Sequence, residues 1–507
     1  MVVYNLNRGI GWASSGVEYA QAYRSEVFRK LGVEAKFIFT DMFQNENIEH
    51  LTRNIGFEDN EIIWLYTFFT DLTIAATSYS LQQLKESFSL PIDRTEKNGK
   101  IISFFFKGSS IVVTVMLNDE SSNIVQRVEY LMGGKLVRKD YYSYTKMFSE
   151  YYAPEDIGPC LYQRTFYNED GSVAYEENVD GENSIFKFKE TILYSKEELV
   201  GYMLEKLQLT NSDLILLDRS TGIGQAVLRN KGNAKVAVVV HAEHYNVSAT
   251  DETTILWNNY YDYQFSNADS IDAFITSTET QTKTLIDQFK KYLNIEPVVY
   301  TIPVGSLSKL QRKEWHERKA FSLLTCSRLA SEKHIDWLIN AVVEANKVIP
   351  ELTFDIYGEG GERQKLQEII AKNKANNYIR LMGHKNLSSV YKDYQVYLSG
   401  STSEGFGLTL MEAIGSGLPI IGLDVPYGNQ TFIENNLNGY LIPRETPDNP
   451  QQISTAFAQY IVALFNSKDI CKKHEYSYRI ASRFLNDKII ENWSFFFLRR
   501  LLNDYTI

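Results

Sequence analysis

Three patterns of apolar and polar residues follow one another along the 507-residue chain. The first pattern is a strand at Val2 to Leu6 followed by a helix, whose apolar residues recur every three or four positions from Val17 to Lys30. From Ile101 to Phe188, short β-branched and aromatic runs recur about every ten positions between Gly, Asn and Asp turns. Strands and helices alternate again from Ser195, and regularly from Phe321 onward. We therefore predict parallel sheets towards both ends and an antiparallel meander between them.

The same patterns predict how the chain divides into domains. The first domain is expected to be discontinuous, at 1–44 and 195–304, because the meander interrupts it at 45–194. A second domain with strand–helix repeats is expected at 305–480, followed by a helical segment at 481–507. The fold class is therefore α/β, with doubly wound parallel sheets and an inserted β-meander domain. Ligands of such parallel sheets bind beyond the carboxyl ends of the strands.

A stretch from Ser399 to Pro419 combines a polar loop with an apolar helix. The loop ends in Glu404-Gly405-Phe406-Gly407, and the predicted helix runs from Leu408 to Ile414. A helix start behind such a loop offers free N–H groups and a positive dipole end to an anion. Glu412 lies on that helix, eight residues after Glu404. One carboxylate can accept bonds from two hydroxyls, so both residues suit a sugar or a ribose.

Two basic groups follow other predicted strands of the second domain. Arg328 and Lys333 come directly after the strand that begins at Phe321. Fixed cations at this spacing can stabilise a diphosphate without a metal, although a solvated surface cluster is the alternative. The turn that contains His384 and Lys385 follows a further strand and is either a ligand contact or a surface turn.

Two features of the first domain are also candidates. The turn from Gly9 to Gly16 faces the start of a helix and is either an anion site or a tight turn. His241 ends a predicted strand that begins at Val236, where a lone histidine is most often structural, and His244 could take the same role.

Composition and charge exclude several classes of protein. Asp and Glu outnumber Lys and Arg by 63 to 52, and this net charge of −11 argues against nonspecific binding of nucleic acid. The three cysteines share no metal-binding spacing and suit a reducing cytoplasm. We expect no signal peptide, no apolar run of about 20 residues that could span a membrane, and no metal, because Asp-x-Asp is absent.

The Glu404-to-Glu412 segment, together with R-L-x-x-E-K at 328–333, resembles the sugar-nucleotide site of glycosyltransferase family 4. That family has the GT-B architecture, in which two Rossmann-like domains face a cleft, and transfers sugars with retention and without a metal or cofactor. The resemblance implies UDP binding by Gly16, Val17, Glu18, Tyr19, Arg328, Lys333, His384, Lys385 and Glu412, sugar binding by His241, Glu404, Gly405, Phe406 and Gly407, and catalytic roles for His241, Glu404, Arg328 and Lys333.

A narrower resemblance covers nearly the whole chain. LNRGIGWASSGVEYAQAYR, LYQRTFYNEDG, LDRSTGIGQ and VVVHAEHY are similar to catalytic subunits of the accessory Sec system glycosyltransferases of Gram-positive bacteria. The resemblance implies transfer of GlcNAc from UDP-GlcNAc to Ser and Thr of a serine-rich repeat adhesin, the first step of its O-glycosylation. It also implies a heterodimer or heterotetramer with a homologous non-catalytic subunit, in which the inserted domain binds the partner and the acceptor. A terminal helix is expected to cross back to the first domain. The protein is expected in the cytoplasm, with peripheral contact at the inner face of the membrane.

Other functions stay open at this stage. The same enzyme could use UDP-glucose, and a non-catalytic acceptor-binding subunit would have the same fold but would be expected to lose Arg328, Lys333 or Glu404. A retaining hydrolase needs two carboxylates about 5 Å apart. Glu404 and Glu412 are too far apart along the chain for that role, since eight helical residues span about 12 Å.

Overall fold

The computed structural model describes residues 1–11, 16–155, 158–387 and 389–502, with the backbone alone for Glu155 and 500–502. The chain divides into two compact units. One consists of 1–238 and 259–272, and the other of 239–258 and 273–507. No described helix is long and apolar enough to cross a membrane.

The elements up to residue 266 are, in order, β1 (Val2–Asn7), α1 (Gly16–Leu31), β2 (Glu34–Phe39), α2 (Ile48–Arg53), β3 (Ile62–Trp64), α3 (Leu81–Glu86), β4 (Ile92–Asn98), β5 (Ile101–Phe106), β6 (Ile111–Leu117), β7 (Val125–Met132), β8 (Lys135–Tyr142), β9 (Lys146–Glu155), β10 (Gly158–Tyr167), β11 (Val173–Asp180), β12 (Asn183–Lys187), β13 (Ile192–Leu193), α4 (Lys196–Lys206), β14 (Leu214–Leu217), α5 (Gly224–Asn230), β15 (Lys235–Val240) and α6 (Asp262–Ser266).

The later elements are β16 (Ala273–Thr276), α7 (Glu279–Gln288), β17 (Val299–Thr301), β18 (Ser322–Cys326), α8 (Ile335–Asn346), β19 (Thr353–Tyr357), α9 (Arg363–Lys372), β20 (Ile379–Gly383), β21 (Val396–Ser399), α10 (Leu408–Gly415), β22 (Ile420–Leu423), α11 (Gly428–Phe432), β23 (Gly439–Ile442), α12 (Pro450–Phe465), α13 (Ile470–Ala481) and α14 (Asn486–Leu502).

The first unit contains a parallel sheet in the order β15-β14-β1-β2-β3. Its inner strands are nearly continuous apolar runs, as expected for strands covered on both faces, and all four residues of β14 are buried. The predicted strand–helix–strand start of the chain is confirmed. The strand order reverses between β1 and β14, which places the ligand-binding end of this sheet after those two strands.

The inserted sheet has ten strands, and each of them pairs with its neighbours in sequence from β4 to β13. The predicted antiparallel meander is therefore confirmed, and β5 begins at the predicted residue, Ile101. β4 was missed because its sequence is mostly polar, and in the structure all seven of its residues are exposed at the edge of the sheet. Hydrogen bonds to β5, rather than burial, hold β4 in a strand.

Arg164 is at the centre of a buried ionic cluster in this sheet. Its guanidinium lies 2.9 Å from the Glu150 carboxylate and 3.0 Å from that of Glu177. Glu150 also accepts from the Tyr141 hydroxyl at 2.7 Å and from the Gln44 amide at 2.6 Å. Since Gln44 lies in the segment between β2 and α2, this cluster connects the meander to the rest of the first unit.

The second unit contains a six-stranded parallel sheet in the order β20-β19-β18-β21-β22-β23. This is the doubly wound arrangement, because the chain first builds outward from β18 to β20 and then returns to add β21 beside β18. The predicted Rossmann-like organisation is confirmed. In the same unit β16 pairs with β17, and the ring of Phe496 in α14 packs 5.0 Å from that of Tyr300.

Candidate active site

The strand order of the second unit determines where its functional loops meet. β18 and β21 are adjacent at the centre of the sheet, and the chain leaves them towards opposite sides. A crevice forms at such a reversal, beyond the carboxyl ends of the strands. The loop after β18 carries Arg328 and Lys333, and the loop after β21 carries Glu404. The sheet thus places the two predicted groups side by side.

Lys333 and Glu404 form a direct ion pair. The Lys333 Nζ lies 2.7 Å from Glu404 Oε2, and the two side chains are 16% and 18% exposed. Gly400 permits this approach, since a Cβ there would lie 2.8 Å from the Lys333 carbonyl oxygen. The pair offers a cation and a hydroxyl acceptor within one site, with enough exposure to reach a ligand.

The loop that carries Arg328 contacts a glycine-rich turn that follows β19. Leu329 N–H donates to the Glu359 carbonyl at 2.9 Å, and a Cβ on Gly358 would lie 1.8 Å from the Ser327 carbonyl oxygen. Gly358 also has φ of +131°, so this position requires glycine. The Gly-Glu-Gly-Gly turn after β19 was missed in the sequence, although glycines directly after a strand were a usable signal. The Arg328 guanidinium itself is exposed and lies 3.3 Å from Glu332.

The Glu404-to-Gly407 loop is fixed by its backbone. The Gly428 N–H donates to the Glu404 carbonyl at 2.8 Å, and Gly407, with φ of +87°, turns the chain into α10. The Phe406 ring is buried, 5.0 Å from Phe432. Phe406 therefore anchors the loop through its side chain and leaves only its backbone for a ligand.

His241 lies against this loop, within the same unit. A Cβ on Gly405 would lie 2.3 Å from the His241 carbonyl oxygen, so only glycine allows the two segments to approach. His241 is partly exposed, whereas His244 is buried.

His244 has the contacts of a structural residue. Its Nε2 lies 2.7 Å from Gln288 Oε1, and its Nδ1 lies 3.3 Å from the Tyr427 hydroxyl. Burial lowers the pKa of His244 to about 4, although the bond to Gln288 acts in the opposite direction. A neutral ring that accepts at Nδ1 and donates from Nε2 fits both contacts. His241, which is the more exposed of the two histidines, stays the predicted ligand residue.

Glu412 is bound by a tyrosine that follows β20 in the chain. The Tyr391 hydroxyl donates to Glu412 Oε2 at 2.8 Å. Burial raises the pKa of Glu412, and the Tyr391 hydrogen bond opposes that rise. His384 and Lys385 are exposed directly after β20.

The predicted residues of the first unit begin α1. Gly16 and Tyr19 are exposed, but Glu18 is buried. The Glu18 carboxylate accepts from Arg219 at 2.8 Å and from Asn7 at 3.3 Å, so it is held among the ends of β1 and β14. The part of the predicted glycine turn at 12–15 lies outside the described residues.

Among the residues that the model describes, no group of three or more His, Cys, Asp or Glu side chains is arranged to hold a metal ion.

Comparison with known proteins identifies two domains by sequence. Residues 308–467 match the family of glycosyl transferases group 1, and residues 94–190 match the GtfA extended beta-sheet domain. The second of these ranges falls within the meander.

The chain is similar to known proteins over nearly its whole length. The chain is 56% identical over 506 residues to the GtfA subunit of UDP-N-acetylglucosamine–peptide N-acetylglucosaminyltransferase from Streptococcus parasanguinis, which covers 99% of this chain and 100% of the relative. The crystal structure of pneumococcal O-GlcNAc transferase GtfA in complex with UDP and GlcNAc has a TM-score of 0.95 at 54% identity, covering 99% of both chains. A crystal structure of a GtfA/B complex matches with a TM-score of 0.93 at 50% identity, again over 99% of each chain. The chain belongs to the family of GtfA subunits, glycosyltransferases with the GT-B fold.

Proposed function

We propose that this chain transfers GlcNAc from UDP-GlcNAc to Ser and Thr hydroxyls of a serine-rich repeat polypeptide, with retention at the anomeric carbon. The observation that carries the proposal is the Lys333–Glu404 ion pair at the strand reversal, with Arg328 on the loop beside it. Relatives named as a peptide N-acetylglucosaminyltransferase subunit and as an O-GlcNAc transferase match the chain over nearly its full length.

The two cations suit the leaving group of such a transfer. Cleavage of the bond between sugar and diphosphate leaves UDP with additional negative charge, and preorganised cations lower the barrier by stabilising that charge. Arg328 is exposed and its ion pair with Glu332 is an exposed one, so it can exchange this partner for a phosphate at little cost. Lys333 is held in place by Glu404 and can face the diphosphate without reorganising.

The remaining groups suit the sugar and nucleoside. We assign Glu404 and the backbone of Gly405 to Gly407 to hydroxyls of the sugar, with His241 beside the reacting carbon because its carbonyl abuts Gly405. We assign Glu412 to the ribose hydroxyls and the turn at His384 and Lys385 to the base. The implied binding of UDP by Gly16 to Tyr19, at the start of α1, stays a prediction.

We further propose a homologous non-catalytic subunit as partner, since a relative of the chain is found in a GtfA/B complex. The inserted sheet is the part of the chain available to bind this partner and the acceptor. Its β4 edge is exposed along its whole length, and an unpaired edge can accept a strand from another chain. The place of action is the cytoplasm, with peripheral contact at the inner face of the membrane.

The test is transfer to a Ser/Thr-rich peptide in the presence of the partner, read by mass spectrometry with UDP-GlcNAc and UDP-glucose in parallel. We expect one N-acetylhexosamine per modified site with UDP-GlcNAc. A preference for UDP-glucose would show that the chain transfers glucose instead of GlcNAc. Absence of transfer from both donors would favour the alternative that the chain is a non-catalytic, acceptor-binding subunit.

A matched pair of variants tests the site itself. Lys333→Met is expected to lower transfer by about 10²-fold or more, as for loss of one electrostatic contact to a transition state. Lys347→Met removes a lysine whose ion pair with Glu344 is exposed, and it should leave transfer unchanged. Equal activities of the two variants would contradict the assignment of Lys333.

A further inference from the structure

A buried tyrosine controls the carboxylate that we assign to the ribose. Tyr391 is 3% exposed, and its hydroxyl lies 2.8 Å from Glu412 Oε2. Among the described residues, Tyr391 is the only side chain that donates a hydrogen bond to this carboxylate. Glu412 itself is partly exposed. One carboxylate oxygen is therefore bound by Tyr391, while the residue as a whole keeps partial exposure.

The surroundings of Tyr391 hold its ring in one place. The ring is inclined by 29° to that of Tyr397, with the ring centres 6.3 Å apart. The Tyr397 hydroxyl in turn donates to the Cys326 carbonyl at 3.0 Å and lies 3.0 Å from the Thr409 hydroxyl. Cys326 ends β18, and Thr409 lies in the first turn of α10. The tyrosine is thus part of a buried layer that joins the loop of Arg328 to the helix of Glu412.

A carboxylate held in this way is suited to a vicinal diol. Two neighbouring hydroxyls are bound best when the carboxylate plane is fixed and the group is charged, since hydrogen bonds to a charged acceptor are the stronger ones. The Tyr391 bond fixes the orientation of the plane through Oε2. It also opposes the loss of charge that burial favours, because burial raises the pKa of Glu412 and the bond lowers it.

We propose that Tyr391 is a positioning residue that orients Glu412 towards the ribose hydroxyls and so makes the donor site select ribonucleotides over nucleotides that lack these two hydroxyls. This inference rests on the proposed function, in which Glu412 binds the ribose. Tyr391 acts only through Glu412 and does not touch the donor.

The test compares binding of UDP and 2′,3′-dideoxy-UDP by calorimetry, so that no turnover is needed. Tyr391→Phe removes the hydroxyl and keeps the ring. We expect the Kd of UDP to rise about tenfold, in the range for a hydrogen bond to a charged group, while the Kd of the dideoxy analogue stays within about twofold. The matched control is Tyr394→Phe, because the Tyr394 hydroxyl is also buried but bonds to Asp355. This variant should keep the wild-type ratio of the two Kd values.

Two further readouts separate positioning from a structural role. The acid limb of the pH profile of UDP binding should move to higher pH in Tyr391→Phe, because Glu412 then takes up a proton more readily. In transfer assays KM for UDP-GlcNAc should rise while kcat stays within about twofold, since uniform binding is what is lost. Equal weakening of UDP and its dideoxy analogue would overturn the proposal, as it would show a general disturbance of the site.

Glu412→Gln distinguishes failure of this inference from failure of the proposed function. If Glu412→Gln abolishes the preference for UDP and Tyr391→Phe does not, Glu412 binds the ribose but Tyr391 does not position it. If neither variant changes the preference, Glu412 does not bind the ribose, and both assignments are wrong. If Tyr391→Phe has no additional effect in the Glu412→Gln background, the tyrosine acts through the carboxylate, as proposed.

Discussion

Removal of the Arg164 guanidinium tests what stabilises the inserted sheet. The two ion pairs of Arg164 have distances of 2.9 and 3.0 Å, and the side chains of Arg164, Glu150 and Glu177 are 10%, 0% and 2% exposed. Arg164→Met keeps the length of the side chain but leaves both carboxylates without their cation. Removal of one partner from a buried pair costs about 3–5 kcal/mol.

The structure favours the lower end of that range. Glu150 would keep hydrogen bonds from Tyr141 and Gln44, and Glu177 would keep one from Ser184 at 2.6 Å. We therefore expect local destabilisation of about 3 kcal/mol, which corresponds to about 10²-fold faster exchange of backbone amides.

The measurement is hydrogen–deuterium exchange of peptides that cover β9 to β11. Local exchange is preferable to a single melting temperature because a chain with several domains need not unfold in one step. The control is Arg94→Met in β4, where the ion pair with Glu96 is 61% and 59% exposed. An exposed pair contributes about 0–1 kcal/mol, so exchange should change by less than about tenfold. Equal exchange in the two variants would refute the reasoning and assign the stability of the sheet to its aromatic core.

Three further predictions concern the second unit. Burial lowers the pKa of His244 to about 4, whereas the ordinary pKa of histidine is about 6.5. Between these two values the unfolded chain binds a proton that the folded chain does not. The folded state should therefore lose about 2 kcal/mol of stability between pH 7 and pH 5. In His244→Phe the melting temperature should change less between pH 7 and pH 5 than in the wild type. An equal change in both proteins would show that His244 does not cause the loss of stability. Gly358→Ala should weaken UDP binding about tenfold or more, because strained backbone costs about 1–3 kcal/mol and the added Cβ meets the Ser327 carbonyl oxygen. The control is Gly361→Ala, because a Cβ at Gly361 has no neighbour within 4 Å. Transfer should stay within about twofold in excess EDTA, since fixed cations take the role of a metal, and rescue of lost activity by Mn²⁺ would contradict this.

The sequence predicted the parts of this fold that depend on local pattern. The alternation after Phe321 gave the doubly wound sheet, and turn residues every ten or so positions gave the meander. The predicted start of α10 at Leu408 is also confirmed. These features follow from residues close together in the chain, so periodicity and capping are sufficient to find them.

Other features depend on contacts between distant residues and could not be read from pattern. β4 is a strand only because β5 pairs with it, and its polar sequence gives no signal of that partner. Glu18 follows the predicted glycine turn, but its ion pair with Arg219, 201 positions later, could not be found from the local pattern. His244 is three residues from His241, and its contacts with Gln288 and Tyr427 could not be found from the local pattern.

The position of the meander has a consequence for the order in which the chain folds. β1 pairs with β2 and β14, so the first parallel sheet requires two segments about 210 residues apart to meet. Closure of a long loop carries an entropic cost that slows folding through distant contacts. In the meander, by contrast, every strand pairs with the one just before it, so the insertion can form hairpin by hairpin as it leaves the ribosome. A folded insertion leaves fewer mobile residues in the loop between β1 and β14, which lowers the entropic cost of closing that loop.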